Sequence, residues 1–201
     1  MNTRTLATRG AAFLTREDDG KKIIEGYFAV FGSRYELWEG AYETIAPEAF
    51  NDTLGDDIRA LTNHNHTLVL GRTSAGTLTL LVDEKGLWGR IEINDQDQDA
   101  VNLYNRVKRG DVNQCSFGFE ILGESRDVQS DGSVCWTLQR VKLYEVSVCT
   151  FPAYEETAVS ARRKELGDVQ RRKIELWRDQ MRAKLKGEHN GTESNPPAAQ
   201  D

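Results

Sequence analysis

Up to about residue 152 the apolar residues come in short runs, each stopped by a cluster of turn formers, and this punctuation restricts the fold more than any other feature of the chain. Runs this short fit strands joined by tight turns better than packed helices. Residues 11–15 and 23–31 flank Arg16-Glu17-Asp18-Asp19-Gly20, which predicts an opening hairpin. Residues 78–82 and 87–93 flank Asp83-Glu84-Lys85-Gly86 and predict a second. In its latter strand Leu87, Ile91 and Ile93 fall on one face. Residues 115–122 pair with 133–140 across Ser130-Asp131-Gly132, and 143–151 form a further strand ended by Pro152. The expectation is a mainly β fold with helices (α+β), its strands mostly antiparallel.

The remaining segments read differently. Residues 33–54 look like a long connection with a short helix at Pro47-Glu48-Ala49-Phe50, since proline suits a first helical turn. A short apolar run at 58–61 ends at Asn63-His64-Asn65-His66. Val101, Tyr104 and Val107 recur at helical spacing, which predicts a helix over 100–109, capped by Asp99 and stopped by Gly110. After Thr157 the pattern turns helical, with Leu166, Val169, Ile174, Trp177, Met181 and Leu185 as apolar members and Gly187 as the stop. Three parts are expected: a domain over 1–159, a basic amphipathic helix over 160–188 and a disordered tail over 189–201.

Charge divides along the same line. Residues 160–188 carry ten Lys/Arg against five Asp/Glu, whereas the whole chain has a net charge of −6. An acidic body argues against nucleic-acid binding, because phosphate neutralisation needs surplus base. The basic segment fits nucleic acid or an acidic protein equally well. No run reaches the roughly 18 apolar residues of a membrane span, and the first residues lack a signal peptide's apolar core. The 3 cysteines show no C-x-x-C spacing, so neither a disulfide framework nor a zinc ribbon is expected. These features predict a soluble protein of a reducing cytosol.

Phosphate-binding loops, the G-x-S-x-G elbow and H-E-x-x-H are all absent as motifs. Of 3 histidines, His189 lies in the expected tail, leaving His64 and His66. On a strand these two share a face and could begin a metal site; equally they are polar residues at a strand end, or one is a general base. Ser116 shares a strand face with Gly118, opposite Phe117 and Phe119, which marks either a nucleophile with space around it or ordinary packing. Glu145 alternates onto one side with Leu143, Ser147 and Cys149, and there needs solvent or a partner such as a histidine N–H.

Together these segments carry a resemblance. Asn63-His64-Asn65, Leu70-Gly71-Arg72, Lys85-Gly86-Leu87-Trp88, Arg109-Gly110-Asp111-Val112 running into Cys115-Ser116-Phe117-Gly118-Phe119, and the stretch from Glu145 to Ala153 resemble, in order and spacing, the prohead protease family of tailed bacteriophages. Glu25-Gly26-Tyr27-Phe28-Ala29-Val30-Phe31 and Ile45-Ala46-Pro47-Glu48-Ala49-Phe50 are similar too, so the likeness covers roughly residues 10–160. Cys115 departs from it, where a small or aliphatic residue is expected. The resemblance implies a serine endopeptidase with a barrel-like antiparallel fold akin to herpesvirus capsid maturation proteases. It implies His64 as general base, Ser116 as nucleophile and Glu145 as orienting acid, with His66 the weaker alternative base. It implies no cofactor or metal. The implied partner is the capsid precursor with its scaffolding portion, cut inside an immature prohead in the host cytoplasm, with self-cleavage and self-association. Oxyanion donors are expected among backbone N–H groups near Ser116 or an arginine such as Arg72.

Overall fold

A computed structural model describes residues 4–8, 13–151, 164, 166–168, 171–172 and 174–182. The chain divides into two units, Met1–Glu156 and Thr157–Asp201. The first unit opens with β1 (Arg4–Thr8), β2 (Leu14–Asp18), β3 (Lys21–Val30), β4 (Tyr35–Trp38) and β5 (Ala41–Ile45). There follow β6 (Arg59–Thr62), β7 (Asn65–Arg72), a 3-10 turn (Thr73–Ala75), β8 (Leu78–Val82) and β9 (Gly86–Ile93). The helix α1 (Gln98–Arg109) then leads into two long strands, β10 (Gln114–Val128) and β11 (Val134–Cys149).

These strands form two sheets. The smaller runs β2-β3-β9-β8, all antiparallel, and contains both early hairpins expected from the sequence. The larger runs β1-β10-β11-β5-β4, with β6 also on β11 and β7 on β6. One buried cluster joins them: Ile24, Phe28 and Ile91 of the small sheet meet Phe117, Phe119, Val146 and Val148 of the large one, together with Leu103, Tyr104 and Val107 of α1. Among the described residues the ladders stay open and do not close into the expected barrel-like sheet. Closure needs each end strand to find a second neighbour, and β1, β4, β2 and β8 each have one.

β11 is the scaffold of the large sheet. One edge pairs with β10 along its length, while the other takes β5 in parallel at Val134–Leu138 and β6 in parallel at Glu145–Val148. Residues 46–58 leave and rejoin that edge between them. Successive turns close Ala49 N–H on Ala46 O and Asn51 N–H on Glu48 O, where the sequence predicted a short helix. Buried Thr53 accepts the Leu143 N–H at 2.9 Å, standing in for a missing ladder partner. The expected break between 140 and 143 is absent, and β11 is one strand.

α1 begins two residues before its expected start. Asp97, not Asp99, caps it, accepting from the N–H groups of Asp99 and Ala100 at 3.0 and 3.3 Å. Such a cap is worth about 1 kcal/mol. Gly110, at φ 88°, ends the helix as expected, in a conformation that a Cβ would strain.

In the second unit the described residues are helical, and Ile174, Trp177 and Met181 are exposed. Arg171 pairs with Asp168 one turn away at 2.5 Å. The predicted tail at 189–201, and Val169, Leu185 and Gly187 of the expected helix, lie outside the described residues. No helix among the described residues is long and apolar enough to cross a membrane.

Candidate active site

His64 sits in the turn between β6 and β7. Thr62 pairs with Asn65, and the two intervening residues, Asn63 and His64, have φ of 50° and 58°. That is the geometry of a two-residue primed turn, whose twist suits a hairpin but which usually recruits glycine. A β-carbon there costs on the order of 1–2 kcal/mol per residue, so other contacts must hold the turn. Asn63 N–H donates to Val148 O at 3.0 Å, and Asn63 Oδ1 accepts from Thr150 N–H at 2.9 Å. His64 N–H donates to Ser147 Oγ at 3.1 Å. The turn is thereby pinned onto the last residues of β11.

The pinning aims the imidazole along β11. His64 Nδ1 lies 2.7 Å from Glu145 Oε1, with the two side chains 18% and 10% exposed. A carboxylate only accepts, so in the neutral imidazole that faces it Nδ1 carries the hydrogen and Nε2 the lone pair. Ser147 Oγ donates to the other carboxylate oxygen, Oε2, at 2.6 Å. Ser147 thus grips the acid with its hydrogen and the backbone of His64 with its lone pair.

The β10–β11 register brings Ser116 to the same place. Ser116 lies directly opposite Ser147, and Gly118 directly opposite Glu145. Opposed residues of an antiparallel pair share a face, with Cβ atoms about 4.5–5.5 Å apart. Ser116, Ser147, Glu145 and the imidazole therefore occupy one small region, and Ser116 is fully buried within it. Gly118 leaves the room for the acid: a Cβ there would lie 2.4 Å from Glu145 Oε1.

Leu143 does not share this face, although simple alternation placed it beside Glu145. The ladder slips by one residue, so that Gly118 opposes Glu145 while Phe119 opposes Leu143. This bulge at Tyr144 sends Leu143 into the core with Phe119 and leaves the carboxylate on the other side. Cys149 does stay on Glu145's face, its Sγ 3.9 Å from His64 Nε2. Burial, with Glu145 beside it, pushes its thiol up to about 12. Cys115, the residue next to Ser116, turns instead toward β3, with Sγ 3.2 Å from Tyr27 O.

Two other candidates lie elsewhere. His66 is exposed on β7, past the turn, and does not share a strand face with His64. Among the described residues no three His, Cys, Asp or Glu side chains gather as metal ligands do. The Arg72 guanidinium is engaged by Asp57, with Nε 2.8 Å from Oδ1, and holds that carboxyl well below the usual carboxylate range. Its strand is the second from β11, on the side away from β10. Ser147 and Asn63 were given no role by sequence reasoning. For Ser147 the signal was present, two residues after the acid on a strand.

A model described as caudovirus prohead serine protease matches residues 11–172. The chain is 30% identical over 164 residues to the prohead protease of Enterobacteria phage HK97, covering 79% of this chain and 68% of that protein. No solved structure matches it significantly. The chain belongs to the caudovirus prohead serine protease family.

Proposed function

We propose that this capsid maturation protease works through Ser116 as nucleophile, His64 as general base and Glu145 as the acid that orients His64. The observation that carries the reading is the His64 Nδ1–Glu145 Oε1 hydrogen bond of 2.7 Å, made on the strand face where Ser116 stands opposite Ser147. With Nδ1–H held by the carboxylate, Nε2 is the atom left to take the Ser116 proton as Oγ attacks a peptide carbonyl. The imidazolium that forms is stabilised by the Glu145 carboxylate. Nε2 then protonates the leaving amine, and water resolves the acyl-enzyme. Each oxyanion donor contributes on the order of 3 kcal/mol; backbone N–H groups near Ser116 are the candidates.

The substrate is the scaffolding portion of the capsid precursor, together with the protease itself, inside the immature prohead of an infected host. The domain responsible is 1–159. The segment from about 160 to 201 is dispensable for bond cleavage, and its basic stretch 160–188 docks on the scaffold or capsid or is itself removed by self-processing. The test is to co-produce the capsid precursor with wild type, Ser116→Ala or His64→Ala. Processing should be lost in both variants. Intact processing with Ser116→Ala ends the serine assignment, and a non-enzymatic assembly role then becomes the better reading. Processing lost with a chelator and restored by zinc would instead indicate a metal site at His64 and His66.

A further inference from the structure

β10 has two edges, and β11 occupies one of them along its length. On the other edge, beside the serine, lies β1. It runs antiparallel with Thr8 opposite Cys115, Ala7 opposite Ser116 and Leu6 opposite Phe117. Opposed Cα atoms in such a pair are about 4.5–5.5 Å apart. The β1 main chain near Ala7 therefore passes within one side chain's reach of Ser116.

Three observations distinguish β1 from the other strands. It terminates the sheet and pairs with no other described strand, so the ladders of β10, β11, β5 and β6 do not depend on it. It lies before residue 11, outside the segment matched by the family model. And Ser116 beside it is 0% exposed, so a polypeptide reaches the serine only after something moves. A strand edge offers main-chain N–H and C=O groups to any extended chain, with side-chain pockets adding preference.

We infer that the Cys115–Phe119 edge of β10 is the docking edge for an extended polypeptide substrate, and that β1 occupies it in the resting protein as an intramolecular stand-in. This rests on the assignment of Ser116 as nucleophile. Substrate and β1 compete for one set of backbone groups, and apparent affinity is reduced by the fraction of molecules whose edge is open. A five-residue edge strand with a single partner is held by few hydrogen bonds, which suits it to be displaced.

The experiment measures how fast a fluorophosphonate probe labels Ser116 in the full chain. Of two consecutive residues in an antiparallel strand, one points its N–H at the partner, so Thr5→Pro combined with Leu6→Pro removes a β1–β10 hydrogen bond. Labelling should then be at least about tenfold faster. In the opposite direction, Thr8→Cys faces native Cys115 at a separation a disulfide spans. Oxidation should slow labelling of that variant at least about tenfold, reducing agent should restore it, and wild type should not respond to the same oxidant. The inference is overturned if the folded proline variant labels no faster than wild type, if the cross-linked protein labels as fast as its reduced form, or if the prolines unfold the chain and so show β1 to be a core strand. Ser116→Ala separates the two claims: labelling that persists in it refutes the nucleophile, whatever β1 does.

Discussion

The closest approach in the site gives the sharpest test. A Cβ on Gly118 would lie 2.4 Å from Glu145 Oε1 and 3.1 Å from both Cδ and Cγ. Carbon and oxygen meet comfortably at about 3.3 Å, so in Gly118→Ala the carboxylate must retreat by about 0.9 Å. Oε1 is the atom that accepts from His64 Nδ1 at 2.7 Å. Directed away from His64, that retreat stretches the bond to about 3.6 Å, which is no longer a hydrogen bond. Rotation offers little escape, because Ser147 Oγ holds Oε2 at 2.6 Å. A misplacement of about 1 Å costs on the order of 10²-fold, and loss of an orienting acid up to about 10⁴-fold. The expected fall in kcat/KM is therefore about 10²–10⁴, or roughly 3–5 kcal/mol of barrier. The assay is cleavage of a quenched fluorescent peptide bearing a site cut in the co-produced capsid precursor. Gly123→Ala on the same strand is the control, since its Cβ would meet only Arg140 Cβ, at 3.6 Å. It should keep full activity and gain about 0.4–1 kcal/mol by restricting the unfolded chain. A folded Gly118→Ala protein with kcat/KM within about threefold of wild type would refute the reasoning.

Other outcomes follow from the same geometry. Ser147→Ala should lower kcat by about 10–100-fold and stability by about 1–3 kcal/mol, read from turnover and urea unfolding, because it orphans the buried His64 N–H and one carboxylate oxygen. Cys149, with its thiol pushed up to about 12, should resist iodoacetamide at neutral pH while the protein is folded. Its folded value lies above the unfolded one of about 8.5, so its contribution to stability is complete below about pH 8.5 and is lost as pH rises toward 12. Urea midpoints from pH 8 to 11 should fall less steeply in Cys149→Ala than in wild type. Asp57 has the opposite sign: Arg72 depresses its carboxyl, so its stabilisation is present above about pH 4 and lost as pH falls through the lowered value. Asp57→Asn should thus lower Tm slightly at pH 7, and the difference should close in acid.

Much of the frame could be read from residue patterns. Alternation with Asp/Gly turn clusters located β2–β3 and β8–β9, because such hairpins are local in sequence; the third turn was placed too, but residues 115–121 pair with 141–148 rather than with 133–140, because both strands run on to the turn. The β4–β5 hairpin escaped notice, since Pro47 and the aromatics around it read as a connection and only Gly40, at φ 77°, marks the turn. The Asn63–His64 turn was also hidden. Its positive φ values are imposed by contacts with Ser147, Val148 and Thr150 rather than by glycine. The bulge at Tyr144 left no local trace, and it alone decides that Leu143 and Glu145 face opposite ways. The site residues were legible mainly as a resemblance. Taken singly, a histidine at a strand end, a serine before Phe-Gly-Phe and a strand glutamate each suit ordinary packing, and only the register of β11 against β10 and β6 unites them.

The pinned turn has a consequence for the order in which the enzyme comes into being. The contacts that define it are all distant in sequence: 81 residues separate His64 from Glu145, and 87 separate Asn63 from Thr150. Pairings of such high contact order form late, because the intervening chain must first be closed into a loop. During synthesis His64 and then Ser116 leave the ribosome well before β11, and until β11 arrives the contacts that hold the imidazole are missing. A nascent or prematurely terminated chain that lacks β11 therefore carries His64 and Ser116 without the strand that brings them together. On the proposed assignment, proteolytic competence arrives in one step with β11, the last strand among the described residues, and copies that stop short of it are inert.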